Sequence, residues 1–339
     1  MFKSKRIRNP NEKLNKWAYL FIAPFILAFL FFSLYPMISS IGYSFANENE
    51  TVYENFTTFS NYKIIFEDVN FWHSFINTFI IFAMNFIPQI IAAMFFAVLF
   101  TNKRIRMKGK GFFKFIYFLP NVLTAATVVI IFRLMFMRGA AIYDDNMQII
   151  GYEGGPFYHV LRFLGMDLFT NPLYHTWTVR IVIAFILFWM WFGNSMIVFI
   201  TGINGISDEV FEAADVDGAS PWRVFFQITL PILKPIMLYS LITSIIGGLQ
   251  MFDIPYLIRG QNLDPSVPVF AGTSSTDTIT IYIYEKMKIA PHDYGIAGAA
   301  SVILFIFSLS LSVAMYFVLF KEKNYEKKIW RRIKKYEQV

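Results

Sequence analysis

The residues best suited to chemistry between proteins lie between Gly202 and Pro231. Glu212 is followed by two alanines, and Gly218 stands six residues after the glutamate. Alanines let a neighbouring helix approach closely, glycine tolerates the left-handed backbone of a sharp reversal, and a carboxylate pairs with a basic side chain. This spacing predicts a short helix that ends in a sharp turn. The alternative is a solvated amphipathic loop with an ordinary helix cap.

The flanking residues predict where that helix begins and ends. Ser207 precedes two acidic residues; serine is a common N-cap, and the helix dipole favours carboxylates in the first turn. Gly218 marks the stop. Ser220-Pro221 then places a second N-cap before a proline at the first helical position. The segment therefore predicts two short helices joined by a turn, the second of which leads to Pro231.

Polar side chains inside apolar stretches form a second group of candidates. Such residues are costly in lipid and usually face a bundle interior or a water-filled cavity. Asn85 and Gln89 lie four residues apart, on one face of a helix. A later stretch carries a polar stripe at Thr243, Gly247, Gln250 and Asp253. These residues predict either a polar pathway or hydrogen-bonded packing, since small and amide side chains also join helices in membranes.

Catalytic and metal-binding patterns are missing from the sequence. There is no cysteine to act as a nucleophile or metal ligand, and the four histidines lack the spacing of a metal-binding motif. No G-x-x-x-x-G-K-[ST] phosphate loop is present, so the chain is not expected to hydrolyse ATP by itself. An integral membrane enzyme is therefore the weaker alternative, and no metal site is predicted.

The elements that must position these residues are membrane helices. The chain is 56% hydrophobic and 16% charged, whereas soluble domains carry about 25% charged residues. Stretches of about 20 apolar residues can cross a hydrocarbon core, and six are present, at 17–45, 71–100, 112–137, 179–200, 232–258 and 294–320. The prediction is an all-α polytopic protein whose six spans (17–320) are flanked by basic tails, 1–16 and 321–339. The 138–178 loop is expected to hold short surface helices.

The basic residues predict the orientation. Lys and Arg concentrate in both tails, in the segment 103–114 and before the fifth span, which together hold 22 of the 30. Cytoplasmic segments retain Lys and Arg, so both termini and the 202–231 loop are predicted to be cytoplasmic. The placement at membrane edges argues against nucleic acid as the reason for the +7 charge. The last tail has the pattern of a basic amphipathic helix that anchors to lipid, with a regulatory role as the alternative.

Together these residues resemble the EAA loop of the membrane subunits of binding-protein-dependent ABC importers. The loop is matched at Glu212-Ala213-Ala214, Asp217-Gly218-Ala219, Ile228, Leu230 and Pro231. Flanking motifs are similar to those of sugar-type permeases of the maltose and multiple-sugar branch, at Asn61-Tyr62, Phe71-Trp72, Asn77-Thr78, Phe252-Asp253, Tyr282 to Glu285 and Asp293 to Gly295. A Thr-Gly-Gly-Pro run usual in that branch is replaced here by the sequence of 259–265.

The resemblance implies a type I importer permease fold in a bacterial cell membrane, together with a set of partners. The coupling helix on a separate ATPase would be formed by Glu212, Ala213, Ala214, Asp217, Gly218 and Ala219. That ATPase, as two subunits or one homodimer, would bind ATP and Mg, which leaves no cofactor in this chain. The other expected partners are a second permease subunit in a heterodimer, an extracellular solute-binding protein, a sugar and membrane lipid.

The resemblance also implies substrate contacts on the spans before and after the loop. The matching positions are Trp191, Asn194, Thr243, Gly247 and Gln250. An aromatic face with uncharged amides suits the hydroxyls of a neutral oligosaccharide, which is the expected substrate.

Two other interpretations remain open at this point. The same importer type could carry an anionic substrate, a uronic-acid oligomer or a glycerol phosphate, through Arg133, Arg138 or Arg259. A secondary transporter would show paired broken helices in two matching halves, and no such halves are seen in the sequence.

Overall fold

The computed structural model describes residues 14–46, 59–102, 105, 107–136, 138–144, 147–163, 176–259, 273–288 and 293–320. Over these residues the chain is helical apart from one β-hairpin, which confirms the all-α membrane fold class. The predicted C-terminal amphipathic helix, most of the first tail and the replaced run at 260–265 lie outside the described residues.

In chain order the described helices are α1 (Leu14–Phe29), α2 (Tyr35–Ser44), α3 (Ser60–Glu67), α4 (Val69–Thr101), α5 (Lys110–Phe118), α6 (Ala125–Phe136), α7 (Pro156–Phe163), α8 (Thr176–Asn204), α9 (Asp208–Val216), α10 (Pro221–Val224), α11 (Leu230–Ile232), α12 (Lys234–Leu249), α13 (Asp253–Arg259), α14 (Thr273–Thr276), α15 (Ile279–Lys288) and α16 (Tyr294–Phe320). Short π-helical turns at Leu30–Leu34 and Phe225–Thr229 join α1 to α2 and α10 to α11, and a 3-10 turn at Leu119–Val122 follows α5. The strands β1 (Arg138–Tyr143) and β2 (Ile149–Gly154) pair antiparallel.

Five helical segments of the described chain are long and apolar enough to cross a membrane, or six if one bent pair counts as a span. The five are Ala18–Ser44, Val69–Thr101, Thr176–Asn204, Lys234–Arg259 and Tyr294–Leu319. Each of them lies within a few residues of a predicted span. The bent pair, Lys110–Val122 with Ala125–Phe136, covers the remaining predicted span, 112–137.

The third predicted span is not one helix, and this corrects the sequence prediction. Its two halves meet at an angle of 96°. Pro120 lies in the 3-10 turn, Leu123 is extended (φ −75°, ψ 145°), and the Thr124 hydroxyl accepts a hydrogen bond from the Thr127 N–H at 3.3 Å. A new N-cap therefore starts α6 in a new direction. Hydropathy gave no sign of this break because both halves are hydrophobic, although Pro120 is a local signal of it.

The fifth span is also interrupted, between α12 and α13. Helix α12 ends at Leu249, and α13 begins at Asp253. The carbonyl of Met251 lies in the gap and accepts hydrogen bonds from the hydroxyls of Thr278 (3.0 Å) and Thr280 (2.6 Å). These bonds satisfy a backbone group that the helix break leaves without a helical partner.

The loop after the third span holds a hairpin as well as a helix, which corrects the prediction of short helices alone. The hairpin turn is held by Asp144, whose N–H donates to the Gln148 carbonyl (2.9 Å) and whose carboxylate accepts from the Gln148 N–H (2.7 Å). Helix α7 follows and buries Tyr158. A side chain at Gly155 would overlap the carbonyls of Leu134 and Met135, so glycine permits this close crossing over the end of α6.

The chain divides into two compact units, and each is described by itself. The first holds residues up to Glu67 together with Glu285–Ile303. Within it, the buried Asn61 amide donates to the carbonyls of Ser44 (3.1 Å) and Ala46 (2.6 Å), which ties α3 to the end of α2. The second unit holds Asp68–Tyr284 and the residues from Leu304 onward.

The core of the second unit lies between α4 and α8. Ala93, Ala97, Met196 and Phe199 are fully buried there, together with Leu233 at the start of α12. The two small side chains on α4 allow close packing of bulky residues from α8. This core carries both candidate sites.

Candidate functional site

The loop after α8 folds into the two short helices that the sequence predicts. Helix α9 begins after Ser207, which has N-cap dihedrals (φ −63°, ψ 144°) although its side chain makes no capping hydrogen bond. The first turn holds Asp208 and Glu209, as the helix dipole favours. The second N-cap is Ser220, whose hydroxyl accepts from the Arg223 N–H at 3.4 Å.

Gly218 ends α9 in a left-handed conformation with φ of +68°. Its N–H donates to the Asp215 carbonyl (3.1 Å), and the N–H of Ala219 donates to the Ala214 carbonyl (2.9 Å). This pair of bonds is a Schellman motif. A Cβ at Gly218 would meet no atom within 4 Å, so the requirement for glycine comes from the backbone angle rather than from crowding.

One face of α9 is fixed to its own chain and another is open. Ala214 is buried, and Phe211 packs against the α4–α8 core. Glu212, Ala213 and Asp217 are exposed. Over the described residues, Glu212 has no hydrogen bond or ion pair, so its carboxylate is available to a partner. The two alanines therefore differ in their surroundings. Ala214 packs against its own chain, and Ala213 is exposed where another helix could approach.

The loop connects directly to the membrane helices. Phe225 and Leu230, from the π-helical turn and α11, pack on the same core as Phe211. Leu233, which starts the next span, is completely buried in it. Packed side chains therefore connect α9 to α4, α8 and α12.

The residues predicted to line a substrate pathway converge on one cavity of about 550 Å³. Its lining includes all eight: Asn85, Gln89, Trp191, Asn194, Thr243, Gly247, Gln250 and Asp253. They come from α4, α8, α12, the break after α12 and the start of α13. Convergence of residues so distant in the chain favours a pathway over scattered helix packing.

The cavity also contains polar residues that sequence reasoning missed. They are Asn121, Ser195, Tyr239, Ser240 and Ser244. Asn121 lies at the break in the third span, where the adjacent proline was a usable signal. Serines in spans gave no signal, because many only bond the preceding helical turn, as Ser308 does with the Leu304 carbonyl (2.8 Å).

The two glycines near the end of α12 have different surroundings. A Cβ at Gly248 would overlap the ring of Phe82 on α4, so this glycine serves close packing. A Cβ at Gly247 would meet nothing within 4 Å, and this residue lines open space in the cavity. Nearby, the Thr243 hydroxyl donates to the carbonyls of Tyr239 (2.9 Å) and Ser240 (3.1 Å), which leaves it as an acceptor toward the cavity.

The electrostatics of the cavity are those of a neutral to weakly acidic site. Asp253 is the one carboxylate among the described lining residues, and no Lys, Arg or His is among them. Of the arginines considered for an anionic substrate, Arg259 pairs with Asp277 at 3.2 Å, and Arg133 does not line the cavity. The side chain of Arg138 lies outside the described residues.

Phe252, which lines the cavity, belongs to a cluster of three aromatic rings. The rings of Phe252, Tyr256 and Tyr284 contact one another at centroid distances of 4.8 to 5.3 Å. A side-chain hydrogen bond with Tyr256 and then desolvation raise the pKa of Tyr284 above its ordinary value. Its hydroxyl therefore stays protonated at neutral pH and adds no charge here.

The family model of the binding-protein-dependent transport system inner membrane component matches residues 64–321. That range contains both the loop and the cavity. The chain belongs to this family. The resemblance inferred from the loop is thereby confirmed, and the protein is a multi-pass membrane permease component rather than an enzyme.

Curated relatives of this permease extend over nearly its whole length. It is 27% identical to the lactose transport system permease protein LacF of Rhizobium radiobacter, covering 91% of this chain and 95% of the relative. It is 30% identical to the arabinooligosaccharides transport system permease protein AraP of Bacillus subtilis, covering 87% and 86%. The multiple sugar-binding transport system permease protein MsmF of Streptococcus mutans is 28% identical, covering 88% and 93%.

Two solved structures show the fold of the permease. A bacterial ABC transporter for import of the acidic polysaccharide alginate matches with a TM-score of 0.70 at 20% identity, covering 94% of this chain and 100% of that one. The alginate transporter in complex with its pentasaccharide-bound periplasmic protein matches with a TM-score of 0.68 at 21% identity, covering 92% and 96%. At this identity the likeness establishes the ABC importer permease fold and not the substrate.

Proposed function

We propose that this permease is one of two membrane subunits of an ATP-driven importer of a neutral oligosaccharide. The observation that carries the proposal is the cavity in which the eight predicted pathway residues meet without a basic side chain. Relatives named for lactose, arabinooligosaccharides and multiple sugars support the substrate class. Trp191, about half exposed, offers a stacking face, and Asn194 and Gln250 offer amides for hydroxyls.

The charge of the cavity favours a neutral substrate over an anionic one. The carboxylate of an acidic sugar would lose its hydration in the cavity without a basic side chain to pair with. It would also be repelled by the carboxylate of Asp253. Arg259 is already paired with Asp277. The likeness to the alginate importers concerns the fold, so it does not weigh against this assignment.

Coupling to a separate ATPase takes place through α9. Support comes from the exposed side of α9, where Glu212 makes no hydrogen bond or ion pair with the described residues and Ala213 is exposed. A Schellman turn at Gly218 ends this helix, and Phe211 on its other side packs on the core. A pair of ATPase sites binds ATP and Mg and closes on this helix. The core around Leu233 passes the movement to the spans that line the cavity.

The assembly has a fixed orientation in the membrane. The 202–231 loop and both termini lie in the cytoplasm, where Lys and Arg are concentrated. An extracellular binding protein delivers the sugar to the opposite side, and a second permease subunit forms the other half of the pathway.

The substrate class is tested on the binding protein encoded with this permease. A thermal-shift screen uses lactose, arabinotriose, trigalacturonate, glycerol phosphate and a set of amino acids. A neutral sugar is expected to raise the melting temperature most. Stabilisation by amino acids alone would contradict a sugar importer, and stabilisation confined to trigalacturonate would move the assignment to the anionic alternative.

A further inference from the structure

Two buried amides of α4 reach into the membrane cavity. Asn85 and Gln89 are each 5% exposed, both line the cavity, and they stand one helical turn apart. Among the described residues, Asn85 has no hydrogen-bond partner. The polar atoms of Asn85 open onto the cavity, so a ligand there can form hydrogen bonds with this amide.

The amide nitrogen of Gln89 faces two serines. Its Nε2 donates to the Ser195 hydroxyl on α8 at 2.9 Å and more weakly to the Ser244 hydroxyl on α12 at 3.5 Å. Ser195 is itself buried, at 3% exposure. With both donor hydrogens directed at serines, the described contacts leave Oε1 as the free end of the amide, and that end is an acceptor only.

We propose that Ser195 and Ser244 are positioning residues that aim Gln89 Oε1 into the cavity, and that Asn85 and Gln89 form a subsite on α4 for sugar hydroxyls that rejects carboxylates. The proposal rests on the proposed function and adds to it a structural cause of substrate choice. Asn85 and Gln89 contact the sugar, whereas the two serines act through Gln89.

The chemistry of the subsite follows from the fixed amide. A hydroxyl donates its proton to Gln89 Oε1, and a neighbouring hydroxyl exchanges bonds with the Asn85 amide about 6 Å away along the helix axis. A carboxylate at neutral pH has no proton to donate, so it would face the lone pairs of Oε1 and the charge of Asp253. Discrimination by a fixed polar group is strong because a mismatch leaves buried groups unpaired.

The test measures sugar binding to the full complex with its second permease and ATPase subunits. Fluorescence of Trp191 is followed during titration with arabinotriose and with trigalacturonate, and a Trp191→Phe complex provides the background of the other six of the 7 tryptophans. The test variant combines Ser195→Ala with Ser244→Ala. The matched control is Ser308→Ala, another buried serine, whose hydroxyl bonds only within α16 and which does not line the cavity.

The wild type is expected to bind arabinotriose at least about tenfold more tightly than trigalacturonate, the size of one mismatched hydrogen bond. In the double variant the freed amide can turn its NH₂ toward the cavity, so arabinotriose binding weakens about tenfold and the ratio between the two sugars narrows. The Ser308→Ala complex keeps the wild-type ratio.

Three results would overturn the subsite: a wild type without preference for arabinotriose, an unchanged double variant, or a double variant that weakens both sugars equally. ATPase stimulation by sugar-loaded binding protein is recorded on the same wild-type complex. If the wild-type ATPase is stimulated but the double variant keeps the wild-type ratio of the two sugar affinities, the subsite is wrong and the importer function is retained. If the wild-type ATPase is not stimulated, the proposed function is wrong.

Discussion

At the scale of single residues, Gly218 sets the turn that ends α9, the proposed coupling helix. Its φ of +68° costs about 1 kcal/mol or more for a residue with a Cβ, and less for Asn, which tolerates the left-handed region. We expect Gly218→Ala to lower ATP-driven uptake and Gly218→Asn to retain most of it. Uptake is compared at equal amounts of protein in the membrane. Equal activity of both variants with the wild type would show that the turn geometry is not required.

Glu212 is an exposed carboxylate of α9 and the proposed contact with the ATPase. Because its side chain is exposed, Glu212→Ala should leave the amount of folded permease unchanged. Uptake and stimulated ATPase activity should both fall about tenfold or more, as for loss of one member of an interfacial charge pair. Glu209→Ala, at another exposed acid on α9, is the matched control. A Glu212→Ala complex that transports normally would show that the pair does not exist.

Residue types and spacing predict much of both candidate sites. The two helices of the loop could be predicted because Ser220, Pro221 and Gly218 each have a backbone role that a short segment determines by itself. The polar stripe at Thr243 to Asp253 was readable because polar side chains in lipid require a destination. The hydrogen bonds of Gln89 could not be predicted from the sequence. They are made to Ser195 and Ser244, which come near Gln89 only after three helices pack.

At the scale of elements, the two broken spans position the lining of the cavity. Asn121 comes from the break in the third span, Gln250 comes from the break in the fifth, and Asp253 starts the helix after that break. Hydropathy predicted that both segments enter the membrane and could not predict where they bend. The bend at Leu123 depends on the Thr124 cap, and the gap at Met251 depends on hydroxyls of Thr278 and Thr280 nearly thirty residues away in the chain.

The close crossing of α5 over α8 holds the first half of the broken span in place. A Cβ at Gly193 would overlap the carbonyl of Tyr117, whereas a Cβ at Gly111 would meet nothing within 4 Å. We expect Gly193→Ala to lower the unfolding free energy by about 1–3 kcal/mol, as overpacking does, and to reduce sugar binding through the adjacent Asn194. Thermal unfolding of the purified complex measures this. Gly111→Ala is the control, and a Gly193→Ala complex as stable as that control would contradict the crossing.

At the scale of the whole molecule, the charge distribution predicts which side of the membrane each loop occupies. The chain has no cysteine, so one introduced thiol reports on one position. Glu209→Cys on α9 should react with a membrane-impermeant maleimide only after cells are permeabilised, and Phe163→Cys, at a residue 90% exposed after the hairpin, should react in intact cells. The opposite pattern of labelling would show that the orientation is wrong.

Composition and periodicity predicted the fold class and the six spans because the bilayer imposes length and hydrophobicity on every crossing segment. They could not supply the contents of the cavity, which depends on packing between α4, α8 and α12. They favoured a neutral sugar only through the uncharged residue types at the matched positions, because the charges that reach the lining depend on packing. Only in the folded unit do Arg259 and Asp277 pair and Asp253 stand without a basic neighbour in the lining.

The central claim is that this permease carries a neutral sugar only as part of an ATP-driven complex. The direct measurement is uptake of labelled arabinotriose into proteoliposomes that contain the purified permease pair and ATPase, with binding protein and ATP supplied on their respective sides. We predict accumulation that requires ATP, the ATPase and the binding protein together and that is lost in the Glu212→Ala complex. Uptake by this chain alone, or accumulation unaffected by omission of ATP, would contradict the account.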